Sequence, residues 1–217
     1  MLSALVFDFD GLIVDTEGPV FQAWSEVYAE HGQSLDRDFW TTIVGRSDHF
    51  DPIAELERRL TRTVDRATVQ AARRSRELEL VHAQPVLPGV REWRAEAHLA
   101  GLRQGVASSS SRAWVLQNLE RLGLDRWDCV RCRDDVGRSK PDPAVYLAVL
   151  DCLGVPAANA LAIEDSNPGV RAAKAAGLRC VAVPGPLTSG HDFALADLVL
   201  ASLEATGLSD AAARVGL

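Results

Sequence analysis

Leu5-Val6-Phe7-Asp8-Phe9-Asp10-Gly11-Leu12-Ile13-Val14-Asp15-Thr16 is an apolar run that ends in two carboxylates and a glycine. The run reads as a buried strand over 3–9. Alternation along an extended chain points Asp8 and Asp10 the same way, towards the strand's carboxyl end. In an open α/β sheet that is where ligands bind. Two like charges held so close repel unless a cation lies between them or they share a proton. The stretch therefore suggests a metal, a nucleophile and an acid/base in one place. The competing reading is a pair of solvated loop aspartates capping the next helix.

The chain has 217 residues, which suits one sizeable domain or one domain carrying a smaller insertion. Its apolar fraction of 47% is ordinary for a protein that buries a real core. A net charge of -7 argues against nucleic acid or anionic membranes as partners. No stretch approaches the roughly 18 unbroken apolar residues of a membrane span. The first residues lack the basic start, apolar middle and small-residue cleavage site of a secretory signal. Four cysteines in this length do not make a disulfide scaffold. Cys129 and Cys132 form a lone C-x-x-C in a strand-like stretch, where i and i+3 point to opposite faces. A reducing cytoplasm is the simplest expectation, with a monomer or weak homodimer.

From about Thr16 to Pro85 the texture is helical and charged, with little strand character. Val20, Trp24, Val27 and His31 recur at helical spacing, and Gly32 is placed to end that helix. Residues 36–44, 51–61 and 65–83 continue in the same way. Arg58, Arg59, Arg73, Arg74 and Arg76 read as solvated faces of these helices, and the five tryptophans as packing. After Pro88-Gly89 the pattern alternates regularly. A helix over 90–100 leads to a strand over 102–107, and a helix carrying Val115, Leu119 and Leu122 leads to a strand near 128–133. A helix entered through Pro141-Asp142-Pro143 precedes a strand over 160–163, and a helix over 168–176 ends at Gly177. Strands at 178–183 and about 197–200 close the series. Such alternation predicts a doubly wound, mostly parallel α/β sheet. Residues 1–15 and 86–217 would form the core, and 16–85 a helical insertion.

Each unusual polar cluster falls at the carboxyl end of an expected strand or in the loop that follows. Ser108 follows Gly105-Val106-Ala107, and Glu164-Asp165 follows Leu161-Ala162-Ile163. Lys140 lies in the loop before the helix that starts near Pro143. In a parallel sheet these ends share one edge. Mg²⁺ prefers hard oxygen ligands and is usually held by one or two carboxylates plus substrate phosphate. Asp8 with Asp165, and Glu164 beside them, would supply that seat. A hydroxyl and helix-start amides near Ser108 can hold phosphate oxygens. Lys140 would add a point charge opposite the phosphate and offset the carboxylates. These are the parts of phosphoryl transfer: a carboxylate nucleophile, charge neutralisation and a proton carrier.

The chain resembles the haloacid dehalogenase-like superfamily of hydrolases. The resemblance rests on four motifs in order: Asp8 to Glu17, Val106-Ala107-Ser108-Ser109-Ser110, Lys140-Pro141-Asp142-Pro143, and Ile163-Glu164-Asp165-Ser166 followed by Pro168-Gly169. The insertion after the first motif is similar to the small helical cap of the subfamily that includes β-phosphoglucomutase and phosphoglycolate phosphatase. The resemblance implies a Rossmann-like core and Asp8 as the nucleophile that takes the phosphoryl group. Asp10 would protonate the leaving oxygen and then activate the hydrolytic water. Ser108, Ser109 and Lys140 would hold the phosphoryl group. Mg²⁺ would sit on Asp8, the backbone carbonyl of Asp10, Asp165 and Glu164.

The same resemblance narrows the reaction. True haloacid dehalogenases lack the second aspartate, which is present here as Asp10. β-Phosphoglucomutase carries a histidine where this chain has Val20, and a lysine where it has Val44 before Gly45. Both departures favour hydrolysis of a small phosphorylated metabolite over a sugar phosphomutase. A non-catalytic binding protein on the same fold is the alternative from another class. Gly45-Arg46-Ser47-Asp48-His49 would be the cap loop over the site, with Gly45 and Arg46 as candidate substrate contacts and His49 beside them.

Overall fold

The structure is a computed structural model and describes residues 1–44 and 50–217. In chain order the elements begin with β1 (Ala4–Phe7), α1 (Glu17–Glu30), α2 (Arg37–Thr41), α3 (Pro52–Leu60) and α4 (Arg66–His82). Then come α5 (Val90–Leu99), β2 (Arg103–Ala107), α6 (Arg112–Arg121), β3 (Cys129–Arg131), α7 (Arg133–Val136) and α8 (Ala144–Leu153). The chain closes with β4 (Ala160–Glu164), α9 (Asn167–Ala175), β5 (Arg179–Ala182), β6 (Leu198–Val199) and α10 (Leu208–Arg214). Among the described residues the strands make one six-stranded sheet, all parallel, in the order β3-β2-β1-β4-β5-β6.

Period-two alternation divides the core between the two faces of this sheet. Leu5, Phe7, Leu161 and Ile163 face one apolar cluster, with Trp93, Val115 and Leu119 from α5 and α6. Ala4, Val6, Ala160 and Ala162 face the other, with Val145, Tyr146 and Val149 from α8 and Val170 and Ala173 from α9. The order also explains why the site forms where it does. The chain leaves β1 for β2 and β3 on one side, then crosses to β4 on the other. That reversal opens a crevice at the carboxyl ends of β1 and β4. Asp8 ends the first of these strands and Glu164-Asp165 the second.

β1 stops at Phe7, two residues short of the expected strand, because the backbone turns through Gly11. Asp8 still donates its N–H to the Ile163 carbonyl at 2.9 Å, so the side chain leaves from a rigid sheet edge. After the turn, Val14 bridges antiparallel to Val86, and the Leu87 N–H donates to the Ile13 carbonyl at 2.9 Å. The chain therefore enters and leaves the helical insertion at one place. The insertion has its own apolar cluster, built on Trp24, Val27, Tyr28, Trp40, Leu56 and Val69, with Leu187 joining it from beyond β5. The short helices α7 and α10 were not legible from periodicity, because one or two turns are too short to show it.

The cysteines hold one pairing that their spacing does not foretell. Cys129 and Cys132 do face opposite sides of the sheet, in different apolar clusters. Cys129, however, is bonded to Cys152 of α8, with Cα atoms 6.2 Å apart. The pairing comes from α8 packing on that face, which no local spacing encodes. Cys132 and Cys180 are free and buried. Among the described residues, no helix is long and apolar enough to cross a membrane.

Two outcomes check this packing. Gly89 precedes α5 at φ +83°, and a Cβ there would meet the backbone of Leu203 and Glu204. Gly101 has φ +69° with open space around it. Gly89→Ala is expected to cost at least about 2 kcal/mol and Gly101→Ala only about 1 kcal/mol in urea unfolding. Equal costs would contradict the close approach at Gly89. Thiol titration of the denatured chain should find two free thiols before reduction and four after it.

Candidate active site

The two aspartates that open the sequence part company once the chain folds. Asp8 turns towards Lys140, whose Nζ lies 2.5 Å from Asp8 Oδ1 and 2.6 Å from Glu164 Oε1. The Tyr146 hydroxyl, from α8, donates to the same Glu164 oxygen at 2.5 Å. Asp8, Lys140, Glu164 and Asp165 are all buried. Carboxylate oxygens of Asp8, Glu164 and Asp165 lie within 4.8 Å of one another.

Burial in such company shifts proton affinities strongly. Desolvation first, and Glu164 second, push Asp8 up to about 8, with Lys140 offsetting only part of the rise. Burial, Asp8 and Glu164 hold Asp165 well above the usual carboxylate range. Burial alone would lower the Lys140 ammonium, but Asp8 and Glu164 outweigh it and raise it. Fully ionised, three carboxyl groups against one ammonium would leave an excess of negative charge in a site of hard oxygen donors. A divalent cation such as Mg²⁺ fits that donor set. Gly11 belongs to the same fit: it stands at φ +78°, and a Cβ there would collide with the Asp165 carboxylate.

Asp10 goes the other way. Its Oδ2 accepts from the Ser110 hydroxyl at 2.7 Å and the Ser108 hydroxyl at 3.3 Å, and its Oδ1 from Trp114 Nε1 at 3.0 Å. The side chain of Asp10 therefore lies outside the Asp8, Glu164 and Asp165 cluster. Ser108 is fully buried, and its Oγ also accepts the Ser110 N–H at 3.0 Å. The Ser109 hydroxyl accepts the Lys140 backbone N–H at 3.1 Å, which ties the second motif to the third.

These groups share a cavity of about 720 Å³. Asp8, Asp10, Ser109, Ser110, Lys140 and Asp165 line it from the sheet edge, while Ser108 stands behind its wall. From the insertion come Thr16, Glu17, Val20, Val44, Arg74 and Glu77. Burial, Asp10, Asp15 and Glu77 push Glu17 up to about 7. A neighbouring cleft of about 700 Å³ shares Glu17 and Asp165 with it but holds neither Asp8 nor Lys140.

Sequence reasoning missed several of these contacts. Tyr146, Ser110 and Trp114 hold the acidic groups, although Ser110 lay inside a motif already singled out. Trp114 stands in the first turn of the helix that follows this motif, and that place was the available signal. Among the arginines of the insertion, Arg58, Arg74 and Arg76 keep exposed side chains as expected, and Arg73 does not: it is largely withdrawn from solvent. Arg73 and Arg74 both pair with the buried Glu77, and Arg74, although exposed, also lies on Trp114 with its guanidinium carbon 5.0 Å from the ring centre. Gly45, Arg46 and His49 lie outside the described residues.

Comparison with known proteins identifies the family. The model of the family described as haloacid dehalogenase-like hydrolase matches residues 5–183. The chain is 38% identical over 189 residues to YhcW of Bacillus subtilis, covering 87% of this chain and 86% of that protein. It is 34% identical over 207 residues to hexitol phosphatase B of Escherichia coli, covering 92% of each. A crystal structure of a mutant CbbY from Rhodobacter sphaeroides in complex with xylulose-(1,5)bisphosphate superposes with a TM-score of 0.76. That match has 32% identity and covers 97% of this chain and 99% of that one. On the reach of the family match and these identities, the chain belongs to the haloacid dehalogenase-like hydrolases.

Proposed function

We propose that the protein is a Mg²⁺-dependent phosphatase that hydrolyses a small phosphorylated metabolite, a sugar phosphate or similar, through an aspartyl-phosphate on Asp8. The observation that carries this reading is the division of labour between the two aspartates. Asp8 is buried against an ammonium and two further acids, whereas Asp10 is held separately on the same cavity. The names of relatives, among them a hexitol phosphatase and a phosphorylated carbohydrates phosphatase, support the substrate class.

Asp8 would attack phosphorus while Asp10 gives its proton to the leaving oxygen. Asp10 would then take a proton from water, whose oxygen attacks the aspartyl-phosphate, releasing phosphate and restoring both carboxyl groups. Lys140 and the Ser109–Ser111 loop would hold the equatorial phosphoryl oxygens, with Ser108 acting from behind through Asp10. Mg²⁺, held by Asp8, Asp165, the Asp10 carbonyl and Glu164, would neutralise charge that builds on the phosphoryl group.

Residues 16–85 would serve as a cap over a core of 1–15 and 86–217. Support for this comes from the paired crossings at Val14 and Val86 and from the insertion's own apolar cluster. Closure would exclude bulk water from the site. Val20 and Val44 line the cavity where a mutase of this subfamily would place basic side chains, which supports transfer to water rather than back to a sugar.

Asp8→Asn should abolish Mg²⁺-dependent phosphate release from p-nitrophenyl phosphate, and Asp10→Asn should lower its kcat by about 10²- to 10⁴-fold through loss of the base that activates the hydrolytic water. A folded Asp8→Asn protein that retained the wild-type rate would refute the assignment of the nucleophile. A second test uses pH. Because the Asp8 pKa is raised to about 8, its proton stabilises the metal-free fold fully below about 4, and this contribution fades as pH rises through 8. Mg²⁺ displaces that proton, so its stabilising shift in Tm should be larger at pH 8.5 than at pH 6. An equal shift at both values would count against Asp8 as a ligand.

A further inference from the structure

Among the described residues, three groups donate hydrogen bonds to the Asp10 carboxylate. Ser110 Oγ at 2.7 Å and Ser108 Oγ at 3.3 Å both bond Oδ2, and Trp114 Nε1 at 3.0 Å bonds Oδ1. Each carboxylate oxygen offers about two acceptor positions. Oδ2 is therefore fully engaged, and one position remains, on Oδ1. We propose that Trp114 is a positioning residue for Asp10. Its indole N–H turns the carboxyl group so that the open position of Oδ1 meets first the leaving oxygen and then the water. The proposal rests on the reading of Asp10 as the acid/base.

The chemistry of the indole suits this task. A serine or a neutral imidazole can either donate or accept, so it can reverse its bond when the carboxyl group gains or loses a proton. The indole N–H is a donor only. It keeps the same bond to Oδ1 through both half-reactions, and so keeps the open position aimed at the cavity that Trp114 itself lines. The residue is held at its main chain and its ring at one face. The Trp114 backbone N–H donates to the Ser111 hydroxyl at 3.3 Å, and Asn118 Nδ2 donates to the Trp114 carbonyl at 3.0 Å. Arg74 of α4 covers the ring face at 5.0 Å. Arg74 stands on the proposed cap, so one side chain touches the cap with its face and the acid/base with its edge.

Trp114→Phe keeps an aromatic ring for Arg74 and removes the N–H together with part of the indole's volume, so the readout is chosen to separate the lost donor from the lost packing. The readout is kcat/KM, which covers the steps up to departure of the leaving oxygen, on two aryl esters of similar size. Phenyl phosphate has a basic leaving group that needs a proton; p-nitrophenyl phosphate has one that leaves nearly without help. Trp114→Phe should lose about tenfold on phenyl phosphate and less than about twofold on p-nitrophenyl phosphate. Asp10→Asn should show the same order with a larger gap. Equal losses on the two esters, or no loss, overturn the proposal, because a merely structural role has no reason to sense the leaving group. If Trp114→Phe does not fold, the pair Trp114→Gln and Trp114→Leu, a donor against a non-donor, carries the same comparison. The glutamine variant is then expected to keep the wild-type ratio. A wild type without Mg²⁺-dependent activity on either ester defeats the phosphatase reading itself, an outcome distinct from equal losses.

Discussion

The buried ammonium of Lys140, bonded to Asp8 at 2.5 Å and Glu164 at 2.6 Å, is the contact around which the site is assembled. An ion cluster this deep is stable only when every charge has a partner. Removing one partner from such a pair typically costs about 3–5 kcal/mol, because the other is left buried and uncompensated. The requirement reaches well beyond four side chains. It needs β1 and β4 as neighbours, so that Asp8 and Glu164 leave the sheet side by side. It also needs the loop before α8 to bring Lys140 over that edge and α8 to deliver the Tyr146 hydroxyl.

The second constraint is the turn at Gly11. Continued as a strand, residues 8–10 would bring both carboxylates to the same neighbours and leave their repulsion to be solved by a shared proton or cation. The turn instead gives each its own set. Asp8 joins the acids and the ammonium; Asp10 joins two hydroxyls and an indole. A nucleophile and an acid/base need different surroundings, and here the surroundings differ within two residues of chain. The same glycine, lacking a Cβ, lets the Asp165 carboxylate close over the turn.

The insertion completes the cavity from above. Arg74 and Glu77 of α4 and Val20 of α1 face the sheet edge, and Arg74 lies on Trp114. Its charges therefore belong in part to the site, although on the helix they resemble any solvated face. Helical spacing says which residues share a face and nothing about what that face meets.

That difference separates what the residues alone determine from what the fold decides. The apolar run Leu5-Val6-Phe7 and the later ones like it determine strands, and the regular return of helices between them determines a parallel sheet. Acidic, hydroxyl and basic residues placed after successive strands, or in the loop that follows one, then converge on one edge, because a parallel sheet aligns its carboxyl ends. All of this is local pattern plus one rule of topology. Trp114 on Asp10, Tyr146 on Glu164, Arg74 on Trp114 and Cys129 on Cys152 depend on which helix lies over which strand, and at what depth. Those contacts join residues between 18 and 104 positions apart in the chain. No period or motif carries them, since only the packed tertiary structure sets the distance between such faces.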